Sequence, residues 1–180
     1  MAFNGEPREP TGSLVDRPEG PTIQIQRSLP HPQEDVWSHL VDPELLRWYG
    51  TYTGDPDSGS VQLIRAEAPD QPVECTIELC ERPSQLHVTL HHPAGTDRRV
   101  QVSLDRDLDA SGTDLILRAP LPGNAEQAGD LGPTWEYYLD RLSVALEGGD
   151  MDEVDFADFH PGQKDNYTPE ARPARQTGLG

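Results

Sequence analysis

Hydrophobic and polar residues alternate through most of the middle of the chain, a pattern typical of strands with one buried face. The clearest case is 73–79, where Val73, Cys75, Ile77 and Leu79 share one face. Further strands are predicted at 22–29, 85–92, 99–108 and 112–121, with weaker candidates at 49–55 and 60–68. Such short, evenly spaced strands predict a curved antiparallel sheet with one face in water.

Helical spacing is present in two parts of the chain. Residues 32–41 place Val36, Trp37 and Leu40 on one stripe, and a second short helix follows from Asp42. The longest helical pattern runs over 134–147 and ends before two glycines. A turn at 124–130 precedes it, with Pro133 kinking or separating the two pieces.

The predicted order of elements is β-α-α-β6-α, which places the chain in the α+β class. One terminal amphipathic helix has to cover the apolar face of the whole sheet. Because a helix is only about 10 Å wide, it cannot fill a strongly curved sheet of six or seven strands. The pattern therefore predicts a cavity between the helix and the concave face.

Composition divides the 180 residues into three parts. Pro- and Gly-rich residues 1–21 are expected to form a disordered lead, and 149–180 an acidic, mostly flexible tail. The remaining residues, 22–148, have a comfortable length for one domain.

The chain has 32 acidic and 14 basic residues, a formal charge of -18. Phosphate backbones and anionic membranes would repel such a chain, so neither nucleic acid nor membrane is an expected partner. The N-terminus lacks the pattern of a secretory signal, and no apolar run reaches the length of a membrane helix, which together favour the cytoplasm.

Five segments of the chain form a characteristic combination: 27–37 and 40–49 with their Val-Trp, Asp-Pro and Trp-Tyr pairs, 81–86, 112–115, and 135–142 on the last helix. Together they resemble the SRPBCC (START-like) superfamily. Within the superfamily, the branch of activators of the heat-shock-protein-90 ATPase is the most similar. The resemblance covers about 22–148. Relatives often have Gly-Trp at the start of the last helix, where this chain has Pro133, Thr134 and Trp135.

The resemblance implies a helix-grip fold, in which a seven-stranded antiparallel sheet is wrapped around a long C-terminal helix. It also implies a deep pocket of the kind that takes lipids, polyketides or other apolar molecules. This branch shares no catalytic residues, so none is assigned.

Twelve side chains are predicted to line the pocket because they fall on the inward face of their strands or of the last helix. They are Leu63, Cys75, Ile77, Val88, Leu90, Val102, Leu104, Leu115, Leu117, Trp135, Tyr138 and Leu142. For any one of them, simple core packing is the favoured interpretation, whereas the set as a whole favours a cavity.

Two arginines, Arg27 and Arg65, fall on inward positions and are candidate polar anchors for a ligand carboxylate. The favoured alternative is that each pairs with an acidic side chain or reaches solvent at a strand end.

Metal and disulfide chemistry are not predicted. His87 and His91 share a strand face but lie about 13 Å apart, too far to share one ion. Cys75 and Cys80 are five residues apart, an odd spacing that places them on opposite faces and out of disulfide reach. No cofactor motif is present.

Three functions remain open on this basis. The first is binding of a small hydrophobic or amphipathic molecule in the pocket, as a carrier, sensor or protective binder. The second is a protein-interaction module that works through its surface, or through the acidic tail with its Phe156 and Phe159. The third is a cyclase- or hydrolase-like enzyme, with Tyr138, Cys75 or Arg27 as acid-base candidates.

Overall fold

The computed structural model describes residues 9–92, 97–107, 111–123 and 125–169. Eight strands form one antiparallel sheet in the order β1-β2-β8-β7-β6-β5-β4-β3. Their bounds are β1 (Gly12–Arg17), β2 (Gly20–Leu29), β3 (Gly50–Thr53), β4 (Ser60–Arg65), β5 (Val73–Glu81), β6 (Gln85–His91), β7 (Asp97–Arg106) and β8 (Thr113–Pro120). The sequence prediction of an α+β chain with a curved antiparallel sheet is confirmed.

In the described part of the chain, three helices accompany the sheet: α1 (Gln33–Val41), α2 (Ala128–Leu146) and α3 (Lys164–Tyr167). Single 3-10 turns lie at Leu46–Trp48, Pro56–Ser58, Ala125–Gln127, Met151–Glu153 and Phe156–Asp158. Helix α2 begins six residues before the predicted start and runs through Pro133 without a break. None of the described helices is both apolar enough and long enough to pass through a lipid bilayer.

The sheet contains one strand more than predicted, because residues 12–17 belong to it. They were expected to lie in a disordered lead, yet β1 pairs with β2 along its whole length, from Gly12 opposite Ile25 to Arg17 opposite Gly20. Leu14 is the buried residue of this strand. The strand was not predicted because its surroundings are rich in Pro and Gly and it is short. The clear alternation of hydrophobic and polar residues lies in its partner, β2. Residues 1–8 of the expected lead lie outside the described residues.

Part of the expected flexible tail also packs onto the domain. Phe159, Gln163 and Tyr167 are buried, and α3 lies against α2. Contact is this close because Gly132 has no side chain: a Cβ built there would lie 2.2 Å from the ring of Tyr167. The tail therefore covers the outer side of α2 as far as residue 169, and residues 170–180 lie outside the described residues.

Helix α2 is fixed to the β1–β2 end of the sheet by a buried network of charges. Arg27 of β2 donates to Glu136 at 2.7 Å and to Asp140 at 2.6 Å. Glu136 is fully buried and also accepts from the backbone and hydroxyl of Thr11, both at 2.7 Å, and from the hydroxyl of Tyr167. One carboxylate thus joins the residues before β1, strand β2, α2 and α3.

Removing the charge of Glu136 is expected to destabilise the protein. Glu136→Gln leaves the buried guanidinium of Arg27 with one anionic partner and weakens the bonds from Thr11, so we expect a loss of about 1–3 kcal/mol in the free energy of unfolding. Urea denaturation followed by circular dichroism measures it. The matched control is Glu147→Gln at the exposed end of the same helix, which should leave stability unchanged. Equal stability of both variants would contradict the role of the network.

Candidate functional site

An apolar cavity of about 170 Å³ lies between the inner face of β3–β8 and the segment that follows β2. The sheet contributes Tyr52, Val61, Leu63, Cys75, Ile77, Cys80, Leu86, Val88, Leu90, Val100, Val102 and Leu117; the rest of the wall is Leu40, Val41, Leu46, Trp48, Tyr49, Pro56 and Trp135. We call it the apolar cavity. Its position follows from the placement of α2, which among the strands contacts chiefly β1 and β2.

The roof of the apolar cavity is built from aromatic side chains. The rings of Tyr49 and Trp135 are stacked, with centroids 5.5 Å apart and planes 6° from parallel. Tyr138 meets Tyr49 edge-on at 4.8 Å. Arg141 of α2 holds this roof from behind, since its Nε donates to the carbonyl of Trp48 at 2.9 Å.

Polar groups at the wall of the cavity are turned to partners in the protein. The indole of Trp48 donates to the carbonyl of His39 at 2.8 Å, and the hydroxyl of Tyr52 donates to the carbonyl of Val41 at 2.6 Å. Their hydrogen-bonding capacity is thus used away from the interior. The cavity offers a guest an apolar surface and aromatic faces.

The opening of the cavity is marked by the lining residues that are exposed to solvent, Pro56 and Cys80. They lie at the edge of the sheet formed by the loop between β3 and β4 and by the end of β5. Half-buried Leu86 and Tyr52 line the wall as well. A molecule entering here would meet buried Cys75 and Leu63 further inside.

Eight of the twelve side chains predicted from the sequence line this cavity: Leu63, Cys75, Ile77, Val88, Leu90, Val102, Leu117 and Trp135. Leu104, Leu115 and Leu142 are fully buried in the core instead. Leu104 lies on β7, Leu115 on β8 and Leu142 on α2, and they are not among the residues that line either cavity. Tyr138 lines a second cavity on the other side of the Tyr49–Trp135 stack.

Sequence analysis missed Cys80 because of a β-bulge, and it left out Leu86 although Leu86 alternates with Val88 and Leu90 on β6. The pairing of β5 with β6 shifts between Ile77 and Leu79, so that Cys80 lies opposite Leu86. An extra residue in one strand reverses the alternation beyond it. The two cysteines therefore line the same cavity, and the expectations that they occupy opposite faces and that Leu79 points inward were wrong.

Residues from the segment after β2 were also missed as lining, although their pattern was visible. Leu40 lies in the helix predicted at 32–41, and Leu46 and Trp48 lie in the short helix predicted to follow from Asp42. Tyr49 and Tyr52 carried no alternation strong enough to show which way they face. Their role became visible only when the sheet order placed β3 at the edge beside the cavity.

The two candidate anchors have different surroundings. Arg27 is held by Glu136 and Asp140 and does not line either cavity, so its proposed role as a ligand anchor is corrected to a structural one. Burial would lower the pKa of Arg27, but the bonds and charges of Asp140 and Glu136 outweigh it and raise the pKa. Arg65 lines the second cavity.

Histidines lie apart from the apolar cavity. His91 contacts the hydroxyl of Thr76 at 2.8 Å and the carboxylate of Asp97 at 3.0 Å on the sheet surface. Within the described ranges, no group of three or more His, Cys, Asp or Glu side chains has the arrangement of a metal site.

No protein-family model and no curated protein matches the chain. Solved structures do match it. The crystal structure of CalU16 from Micromonospora echinospora has a TM-score of 0.66 and 23% identity, covering 86% of this chain and 93% of that chain. EF2215 from Enterococcus faecalis, a conserved protein of unknown function, has a TM-score of 0.67 and 16% identity, covering 87% of each chain.

A third similar structure is that of DynU16, a protein in the dynemicin biosynthetic locus. Its TM-score is 0.62 at 20% identity; the match covers 72% of this chain and 49% of that chain. These likenesses establish the helix-grip fold, in agreement with the α2 helix and antiparallel sheet described above.

The relative reactivity of the two thiols tests whether Cys80 lies at the opening of the apolar cavity and Cys75 lies inside it. Burial raises the pKa of the Cys75 thiol to about 11, so only about one thiol in a thousand is ionised at pH 8. We expect iodoacetamide to modify exposed Cys80 at least tenfold faster than Cys75, as followed by peptide mass spectrometry. In urea, where the cavity is lost, the two rates should become similar. Equal rates in the folded protein would contradict the structure of the site.

Proposed function

We propose that this protein binds a small apolar or amphipathic molecule in the apolar cavity, as a carrier, sensor or protective binder. The observation that carries the proposal is an apolar space that opens at Pro56 and Cys80, while the indole of Trp48 and the hydroxyl of Tyr52 donate to backbone carbonyls. Water gains few hydrogen bonds in such a space, whereas an apolar guest is favoured there.

The volume of the apolar cavity limits the size of its guest. At about 170 Å³ it is smaller than the pockets of about 300–1,000 Å³ that hold most drug-sized ligands. A guest that fits without rearrangement is of the size of one substituted ring or a medium alkyl chain. A larger molecule would leave part of itself outside the opening, beside Pro56.

The fold relatives support a role with small molecules only in a general way. DynU16 belongs to a biosynthetic locus, a setting in which small molecules are made and handled. This setting supports small molecules as the class of ligand and no specific compound.

Binding is proposed over catalysis because the three candidate acid-base residues have pKa values far from neutrality. Burial raises the pKa of Cys75 to about 11. Burial and the nearby charge of Glu67 raise the pKa of Tyr138 well above its usual value. Arg27 is engaged by two carboxylates. Proton transfer near neutral pH calls for groups with pKa values near neutrality, and these three have moved away from it.

Native mass spectrometry of the protein purified from its own host tests the proposal. We expect wild type to carry the added mass of a small organic molecule. Val88→Phe, which fills the cavity from β6, should lose that mass. The matched control is His87→Phe, one residue away on the opposite face of the same strand, and it should retain the mass.

Two results would contradict the proposal. One is an unliganded wild-type mass under gentle ionisation. The other is a ligand retained by Val88→Phe, which would place binding outside the cavity. Binding outside the cavity would support the other function, a protein-interaction surface, which the resemblance to activators of the heat-shock-protein-90 ATPase implies. Thermal melting of each variant shows whether it is folded.

A further inference from the structure

A second, smaller cavity of about 70 Å³ lies against the apolar cavity and has a different chemistry. Its charged lining consists of Arg65 from β4, Arg98 and Arg99 from β7, and one carboxylate, Glu67; His92, just after β6, lies beside them. We call it the basic cavity. In a chain with a formal charge of -18, this collection of cationic groups is opposite in sign to the molecule as a whole.

The two central arginines have unused hydrogen-bonding capacity. The Nε atoms of Arg65 and Arg98 are buried and have no partner. Arg65 reaches Glu67 only through Nη1, at 3.4 Å, and the side chain of Glu67 is half exposed. Arg98 donates through Nη2 to Gln127 at 3.1 Å, a neutral partner. Buried donors without acceptors are costly, and an oxyanion would satisfy both.

The positive charges that line the basic cavity repel one another unless a negative charge lies between them. Burial and the charge of Arg65 lower the pKa of Arg98. Burial and the charges of Arg65 and Arg98 likewise lower the pKa of His92. Two guanidinium groups close together at the wall of one cavity repel each other unless an anion lies between them. Glu67 is the carboxylate among the residues that line it, and its half-exposed side chain supplies one negative charge against the three arginines.

The basic cavity and the apolar cavity share a wall. Tyr49, Leu90, Val100 and Trp135 line both, and the Tyr49–Trp135 stack forms the partition. A molecule that occupies both cavities has to part the Tyr49–Trp135 stack, and it would then place an apolar body against the sheet and a polar end beside Arg65 and Arg98. The two cavities together therefore define a site with one apolar end and one cationic end.

We propose that the ligand is an amphipathic carboxylate, whose apolar part occupies the apolar cavity and whose carboxylate binds Arg65 and Arg98. This inference rests on the proposed function and narrows it to a class of ligand. Arginine suits the role because its planar group binds a carboxylate through two parallel hydrogen bonds. Charged recognition also compensates for a cavity whose apolar part is small.

Paired probes test the inference, namely octanoate and octan-1-ol, which share an alkyl chain and differ in the head group. Trp135 lies in the shared wall, so tryptophan fluorescence can follow both titrations, with calorimetry as a second readout. We expect wild type to bind octanoate at least tenfold more tightly than octan-1-ol. The double variant Arg65→Gln/Arg98→Gln should lose this preference and bind octan-1-ol as wild type does. Arg82→Gln, on the exposed surface, is the matched control and should keep the preference.

The outcomes separate the two levels of the proposal. Equal affinities of wild type for the two probes would overturn the assignment of the basic cavity and leave the proposed function standing. A preference for octanoate that survives in the double variant would overturn it as well. If wild type binds neither probe, both the assignment and the proposed function fail. Single variants Arg65→Gln and Arg98→Gln, each expected to weaken octanoate binding, replace the double variant if it does not fold.

Discussion

The place of one helix on the sheet decides the rest of this structure. Helix α2 is bonded to β2 through Arg27, Glu136 and Asp140, and the same network includes Thr11 and Tyr167. A buried charge group of this kind tolerates little displacement, since moving one partner leaves another charge unpaired. The helix is therefore held at the β1–β2 end. Because it is only about 10 Å wide, the inner face of the strands further along the sheet needs another cover.

That cover is thin, and its composition determines what the interior can hold. Helix α1, the turn after it and the stack of Tyr49 on Trp135 span the concave face without filling it. On the β5–β6 side the enclosed space is apolar. Beyond the stack, Arg65 and Arg98 line a space with cationic character. Because the sheet is curved and α2 is held at its β1–β2 end, an apolar cavity and a basic cavity lie side by side. A molecule with an apolar body and an anionic end matches both cavities.

Alternation of hydrophobic residues was sufficient to predict the sheet, the terminal helix and most of the cavity wall on β5 to β8. It failed where a local event interrupts the period, as at the bulge between Ile77 and Leu79 that turns Cys80 inward. It failed also where a segment is ordered by its partner, as with β1 beside β2 and Tyr167 against Gly132. The acidic partners of Arg27 could not be identified from the sequence, because Asp140 and Glu136 lie more than a hundred residues away.

Xenon binding measures most directly whether the space between sheet and helix is empty and apolar. Protein cavities of about 150 Å³ with aliphatic and aromatic walls take up xenon without a change of fold. A crystal pressurised with xenon should show an anomalous peak among Cys75, Val88 and Trp135, and Val88→Phe should remove it. A wild-type crystal without that peak, with the roof side chains collapsed onto β5 and β6, would contradict the account.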